Sequence, residues 1–90
     1  MRYYVYVLMS SRDNSFYIGC TSDLRKRFIL HNKGQVVSTK HRRPLKMIYC
    51  EFYPNKDDAF AREKFLKTGW GRNYIKRALK NYLRSKKLGR

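Results

Sequence analysis

The sequence predicts a small α+β domain, because three strand-like and three helix-like segments occur along a chain of 90 residues. The strand-like segments are rich in aromatic and β-branched residues, and the helix-like segments combine capping residues with apolar side chains at helical spacing. A chain of this length buries only about 60–65% of its unfolded surface, so we expect one modest core. The hydrophobic fraction of 42% is typical of a folded protein.

The first two strands are predicted to form a β-hairpin. Residues 3–9 are apolar on both faces, which indicates a central strand, and alternation places Tyr6 and Val5 on opposite faces. The polar residues 10–15 predict the turn, and residues 16–20 predict the returning strand. A glycine inside that second strand, Gly19, indicates a place where another backbone or a ligand comes close.

A first helix is predicted to follow the hairpin directly. Ser22 is the expected N-cap, Asp23 suits the positive end of the helix dipole, and Gly34 marks the stop just beyond Asn32. The apolar residues Leu24 and Phe28 are four apart and predict its buried stripe.

Two polar residues of this helix, Arg27 and His31, share that spacing and lie one step around from the stripe. They are expected to border the core beside Tyr17 of the preceding strand. A phenol, a guanidinium and an imidazole at one strand-to-helix junction indicate phosphate chemistry. The alternative is a surface tyrosine followed by an ordinary basic helix.

The second half of the chain predicts one more strand and two more helices. The strand is Leu45–Tyr53, and Asn55 is the expected N-cap of a helix over about 56–68 that ends at Gly69. After a turn at 70–72, Asn73 is expected to cap a third helix. Its apolar residues form a complete amphipathic stripe: Ile75, Ala78, Leu79, Tyr82 and Leu83.

Charge is the unusual property of the composition. Lysine and arginine number 22 against six acidic residues, a net charge of +16. Such an excess favours a polyanionic partner, and nucleic acid is the leading candidate. An anionic membrane is disfavoured because no long apolar amphipathic segment is present, and no bilayer-spanning run or signal peptide is expected.

The cysteines and histidines do not favour a metal centre of their own. Cys20 and Cys50 are expected to be buried free thiols in a reducing cytoplasm. With His31 and His41 they supply four zinc-ligand types, but the sequence lacks the closely spaced ligand pairs of structural zinc sites.

Acidic residues are few enough to consider one by one, and most have a structural explanation at a turn or a helix start. Glu63 differs, because it lies on an otherwise apolar helical face and needs a cation or metal partner there. A salt bridge to Arg27 is the alternative. Sites with two metal ions usually need several convergent carboxylates, so a nuclease of this composition is expected to use one metal ion. The six acids are Asp13, Asp23, Glu51, Asp57, Asp58 and Glu63.

Two aromatic residues, Tyr6 and Tyr17, are the best candidates for chemistry among eight tyrosines. The others are assigned to packing or base stacking. For His31 two interpretations remain equal: it tunes or accepts a phenol proton, or it hydrogen-bonds at a helix end.

The ordered motifs of the chain resemble the GIY-YIG nuclease domain over nearly its whole length. The residues 4–6 (YVY) and 17–19 (YIG) match its two tyrosine motifs, and the helix with Arg27 and His31 matches its arginine helix. The small stand-alone bacterial members, related to the N-terminal domain of the excinuclease C subunit, are the most similar. They share segments of the loop and of the second helix: residues 38–39, 43–44, 61–64 and 66–67.

The resemblance implies a three-stranded antiparallel sheet flanked by helices, with a nuclease-like domain at 1–84 and a basic tail at 85–90. It also implies a one-metal mechanism in which Glu63 holds Mg²⁺ or Mn²⁺ and Arg27 stabilises the phosphate transition state. Tyr6 and Tyr17 would line the site, one of them activating or orienting water, and His31 would assist a tyrosine.

The predicted function is a cytoplasmic, metal-dependent DNA endonuclease that acts on single-stranded or structured DNA in repair or recombination, with no obligate protein partner. The alternatives are a non-catalytic nucleic-acid-binding module with the same fold and a basic ribosome-associated protein. The loop at 34–44 is either a solvated basic turn or a direct contact with the nucleic-acid backbone. The predicted nucleic-acid contacts are Arg25, Lys26, Lys33, Thr39, Lys40, Arg42, Arg43, Lys67, Asn73 and Lys76.

Overall fold

The computed structural model describes residues 1–87 and confirms the α+β class. Three strands form one antiparallel sheet in the order β2-β1-β3, so β1 is central as predicted and β2 is an edge strand. No helix of the described chain is long and apolar enough to cross a membrane. The elements are β1 (Tyr3–Ser10), β2 (Phe16–Thr21), α1 (Leu24–Asn32), a 3-10 turn (Lys40–Arg42), β3 (Leu45–Tyr53), α2 (Lys56–Leu66), α3 (Gly69–Ala78) and α4 (Lys80–Lys87).

The two faces of the sheet carry separate hydrophobic clusters, because alternate side chains of β1 point to opposite sides. Val5 and Val7 pack with Ala59 of α2 and with Ile75 of α3. Tyr6 lies in the other cluster, which includes residues of α1. Helix α1 therefore covers one face of the sheet and helices α2 and α3 cover the other, which confirms the predicted alternation along the first strand.

The N-caps of the first two helices are both side chains next to a strand end. Asp23 caps α1, since its Oδ1 accepts the Lys26 N–H at 3.0 Å, whereas the predicted cap Ser22 lies one residue too early. Asn55 caps α2 as predicted, and its Oδ1 accepts the N–H groups of the two following aspartates. The α1 prediction failed by one position because serine and aspartate are both good caps and stand side by side.

The region after α2 differs from the prediction. Gly69 begins α3 instead of ending α2, and Thr68 is its N-cap, with Oγ1 accepting the Gly71 N–H at 3.2 Å. The predicted cap Asn73 lies inside the helix. The predicted single third helix is divided near Leu79 into α3 and α4. The tail predicted at 85–90 continues α4 to Lys87, and residues 88–90 lie outside the described residues.

The acidic residue of β3, Glu51, is enclosed by hydrogen-bond donors, and its ion-pair partner is an arginine of α2. Arg62 of α2 binds it through two hydrogen bonds of 2.8 and 2.9 Å, and the hydroxyls of Tyr49 and Tyr53 donate at 2.6 and 2.8 Å. Burial raises the pKa of the Glu51 carboxyl, but these hydrogen bonds outweigh it and hold the pKa below its ordinary value. The network fastens α2 to β3 at the residue preceding Glu63.

The two cysteines are free thiols, but neither is fully buried as the sequence predicted. Cys20 is partly buried and Cys50 is exposed. Within residues 1–87, no group of three or more His, Cys, Asp or Glu side chains is arranged to hold a metal ion.

Candidate functional site

A chain of polar contacts runs from β1 through α1 to the loop after it. The Tyr6 hydroxyl lies 2.9 Å from His31 Nε2, and His31 Nδ1 lies 2.8 Å from Thr39 Oγ1. Thr39 in turn donates to the Val36 carbonyl oxygen at 3.5 Å. With the hydroxyl proton of Thr39 used in this way, Nδ1–H donates to Thr39 and Nε2 accepts from Tyr6. The three side chains are almost completely shielded from solvent.

The protonation states of this pair follow from its burial. Burial, reinforced by the Arg27 guanidinium, lowers the pKa of His31 to about 4, so the imidazole is neutral at physiological pH. Burial raises the pKa of Tyr6 to about 12, although Arg27 acts in the opposite direction. In the resting protein Tyr6 is therefore a phenol whose proton points to a neutral imidazole.

Tyr17 and Arg27 complete the wall of the site next to this pair. The Tyr17 ring centroid lies 5.0 Å from that of His31 and 6.4 Å from that of Tyr6. The guanidinium of Arg27 is near both phenols, and its interaction with Tyr6 raises the pKa of Arg27. A cleft of about 380 Å³ opens beside it, lined by Thr21, Ser22, Asp23, Lys26, Arg27 and Leu30.

Gly19 makes this arrangement possible from the neighbouring strand. It pairs directly with Tyr6 in the sheet, and a Cβ added at position 19 would overlap the Tyr6 hydroxyl and lie 2.6 Å from its Cζ. A group thus approaches Gly19 closely, but it is the Tyr6 phenol and not the backbone or ligand that the sequence predicted. Any larger residue at position 19 would displace that phenol.

Glu63 reaches the same region from the opposite face of the sheet. It lies on α2 and is partly buried. Burial is the main cause of the raised pKa values of the Cys20 thiol and of Tyr6, and the charge of Glu63 adds a smaller contribution to each. Its ion pair is with Lys67 at 3.1 Å, one turn along the helix, and not with Arg27. The five predicted residues therefore lie around the edge strand β2, with Arg27 contributed by one face and Glu63 by the other.

A single divalent cation fits the donor chemistry of Glu63. Its carboxylate is a hard oxygen ligand, and Mg²⁺ is commonly held by one or two carboxylates while water and substrate phosphate oxygens supply the other ligands. Lys67 would have to give up its contact with Glu63 for this, at a cost below about 1 kcal/mol because the lysine is half exposed.

The predicted nucleic-acid contacts fall into two groups. Thr39 is buried, and its Oγ1 lies 2.8 Å from His31 Nδ1, so its contact is with the imidazole. Arg42 is partly buried and donates to Ser15 and to the Phe16 carbonyl oxygen. The remaining predicted contacts have exposed side chains that are available to a polyanion: Arg25, Lys26, Lys33, Lys40, Arg43, Lys67, Asn73 and Lys76.

Acid is expected to destabilise the fold through His31 before the carboxylates titrate. The pKa of His31 rises from about 4 in the folded chain to an ordinary value of about 6.5 on unfolding, so the unfolded state binds the extra proton. Stability is therefore complete above about pH 6.5 and falls by up to ~1.4 kcal/mol per pH unit as the pH drops towards 4. Urea unfolding at several pH values measures this slope.

The matched variant is His31→Gln, which retains polarity without titrating. Its unfolding free energy should be lower at neutral pH and nearly independent of pH between 4.5 and 6.5. An equal slope in the wild type and in His31→Gln would show that other groups cause the dependence.

Comparison with known proteins gives matches of sequence and of fold. A family model described as the GIY-YIG catalytic domain matches residues 2–84. The chain is 43% identical over 65 residues to the UPF0213 protein of Streptococcus pneumoniae, covering 71% of this chain and 65% of that protein. It is 40% identical over 68 residues to the UPF0213 protein of Staphylococcus saprophyticus, covering 74% and 82%. The chain thus spans just under two thirds of the pneumococcal relative.

The fold is also similar to a solved structure. The UPF0213 protein of Bacillus halodurans, determined by NMR in solution, is 28% identical, with a TM-score of 0.53. The similarity covers 83% of this chain and 82% of that one. It agrees with the predicted three-stranded sheet and its flanking helices.

Proposed function

The chain belongs to the GIY-YIG family, and on that premise we propose that it is an endonuclease that hydrolyses phosphodiester bonds in DNA. The observation that carries the proposal is the convergence of Tyr6, Tyr17, Arg27, His31 and Glu63 around β2. The net charge of +16 supports a polyanionic substrate.

Arg27 is placed to stabilise the negative charge that develops on the phosphate. Its guanidinium keeps its charge at any physiological pH, and its hydrogen bond with the buried Tyr6 phenol helps to hold it in position. A cation that is already fixed towards the transition state does not have to reorganise during the reaction. Such preorganisation is usually the largest contribution to the rate enhancement of an enzyme. The cleft beside Arg27 gives a phosphate group access to it.

Tyr6 and His31 are proposed to move the proton of the attacking water. The Tyr6 oxygen takes that proton while its own proton passes to His31 Nε2, 2.9 Å away. His31 is neutral because burial lowers its pKa to about 4, so its Nε2 has a free lone pair for the Tyr6 proton, and Nδ1–H stays bonded to Thr39. Tyr17 lines the other side and orients the water or the phosphate.

Glu63 is proposed to hold one Mg²⁺ or Mn²⁺ ion, which when bound would supply Lewis-acid stabilisation of the leaving oxygen. The other ligands would be water and the substrate. The chain has only six acids, and within residues 1–87 no group of three or more His, Cys, Asp or Glu side chains lies together, which favours one metal ion over two.

A cleavage panel tests the proposal. Single-stranded, duplex and junction DNA, with RNA for comparison, are incubated with Mg²⁺, Mn²⁺ or EDTA. We expect metal-dependent nicking of DNA and a loss of at least about 100-fold in Glu63→Ala. Structured DNA as the best substrate would agree with a role in repair or recombination.

The matched control is Asp57→Ala, which removes an exposed carboxylate from the first turn of the same helix. It should cleave like the wild type. Equal nicking by Glu63→Ala and the wild type would contradict the assignment of Glu63. Binding without cleavage of any substrate, unaffected by metal or by Glu63→Ala, would replace the endonuclease by a non-catalytic nucleic-acid-binding protein.

A further inference from the structure

A second basic cleft lies at the end of β2 away from Gly19. It is formed by the β1–β2 turn, the 3-10 turn and α3, and it has a volume of about 470 Å³. Three of its lining residues are cations and none is an acid, so its charge suits an anion. The residues that line it are Asn14, Ser15, Phe16, Arg42, Arg72 and Lys76.

Arg42 is held in place by the turn. Its Nε and Nη2 donate to Ser15 Oγ at 3.2 and 2.8 Å, and Nη2 also donates to the Phe16 carbonyl oxygen at 2.8 Å. Within residues 1–87 its Nη1 makes no such bond. Because the side chain is already ordered, a ligand would not have to meet the entropy cost of fixing it.

The nearest acid does not neutralise the cleft. Asp13 is close enough to Arg42 for the arginine to contribute to lowering its pKa, but hydrogen bonds from Ser15 are the main cause. Its Oδ1 accepts the Ser15 N–H at 3.0 Å, and it is not among the lining residues. Arg42 has no ion pair within the described residues, where the only pairs are Arg62–Glu51 and Lys67–Glu63.

Arg72 and Lys76 present two further positive charges on α3. They are four residues apart, so they lie on one face of the helix about one turn from each other. Like charges at this spacing repel unless an anion lies between them. Neither forms an ion pair among the described residues, so both remain available to a ligand.

We infer that this cleft binds a phosphate group of the DNA strand a few nucleotides away from the phosphate that is cleaved. This position rests on the proposed function, which places the reacting phosphate in the cleft beside Arg27. The second basic cleft lies at the start of β2 and the cleft beside Arg27 lies at its end, so the six residues of the strand separate them by ~20 Å. A single phosphate group cannot contact both clefts.

Binding without catalysis tests the cleft. Fluorescence anisotropy with labelled duplex DNA in EDTA compares the wild type with the double variant Arg72→Gln/Lys76→Gln. The control is Arg77→Gln/Lys80→Gln, which removes the same charge from exposed positions outside the cleft lining. We expect Kd to rise about tenfold in the cleft variant and no more than about threefold in the control. The slope of log K against log[salt] should be less steep by ~1.8 in the cleft variant, because two phosphate contacts are lost. Equal losses in the two variants would overturn the inference.

Cleavage tests the spacing. A substrate with a mapped cleavage position carries a neutral methylphosphonate at one backbone position at a time. The substitution at one position a few nucleotides from the cut should slow the wild type but not the cleft variant. A uniform penalty at all positions would overturn the spacing. If the wild type cleaves no DNA, the proposed function fails, while anisotropy still decides whether the cleft binds DNA.

Discussion

Gly19→Ala is expected to reduce DNA cleavage by at least about 100-fold while the chain still folds. The new methyl group would overlap the Tyr6 hydroxyl, and Tyr6 is buried and bonded to His31, so the phenol cannot swing away freely. A displacement of about 1 Å at a catalytic group can cost 10²-fold in rate. Overpacking should also lower the free energy of unfolding by about 1–3 kcal/mol.

The double variant Gly19→Ala/Tyr6→Leu separates the two effects. The smaller leucine removes the group that the methyl overlaps, so stability should recover relative to Gly19→Ala, while cleavage stays lost because the phenol is absent. Cleavage rates and urea unfolding measure both quantities. Full activity in Gly19→Ala would mean that the Tyr6 phenol does not take part in the reaction.

The second large effect is expected at Gly71→Ala, in the contact between α2 and α3. A Cβ at this buried position would overlap Leu66 Cα and the Phe65 carbonyl oxygen and lie 2.8 Å from Leu66 C. These are backbone atoms, so α3 would have to move away from α2. We expect a loss of about 2–3 kcal/mol, net of a gain of ~1 kcal/mol in helix propensity. For a domain of this size, the midpoint temperature of thermal unfolding should fall by roughly 10–20 °C.

Gly69→Ala is the matched control, because it lies in the same helical turn and a Cβ there would meet no atom within 4 Å. It should be neutral or slightly stabilising. Thermal unfolding followed by circular dichroism compares the two variants. Equal melting temperatures for Gly69→Ala and Gly71→Ala would contradict the close contact between α2 and α3.

The elements that the sequence predicted well are those whose signals are local. Alternation in β1 placed Tyr6 and Val5 on opposite faces, and the cap residue Asn55 located the start of α2. The same local signals failed at α3. Gly69 and Asn73 are ordinary stop and cap residues, but Thr68 and the close fit of Gly71 against α2 decided where the helix begins. Such a fit is a tertiary property that no short window contains.

The candidate site, like the fold, could be predicted only in part from the sequence. Motif spacing indicated the residues of α1 and Glu63, but it assigned Thr39 to the surface because threonine in a basic loop is usually exposed. The structure buries Thr39 against His31 and thereby sets the tautomer of the imidazole. A spacing of eight residues across an irregular loop carries no periodic signal. The ion-pair partner of Glu63 was also missed. The sequence suggested Arg27, but the partner is Lys67, four residues later and one helical turn away.

The division of the site between the two faces of β2 also has a consequence during synthesis. Arg27 and both site tyrosines precede Glu63 in the chain by at least 36 residues (63 − 27). At translation rates of about 5–20 residues per second, that interval lasts about 2–7 s. On the proposed function, the nascent hairpin and first helix therefore carry their site residues during that interval without the carboxylate of Glu63, which is made only with α2.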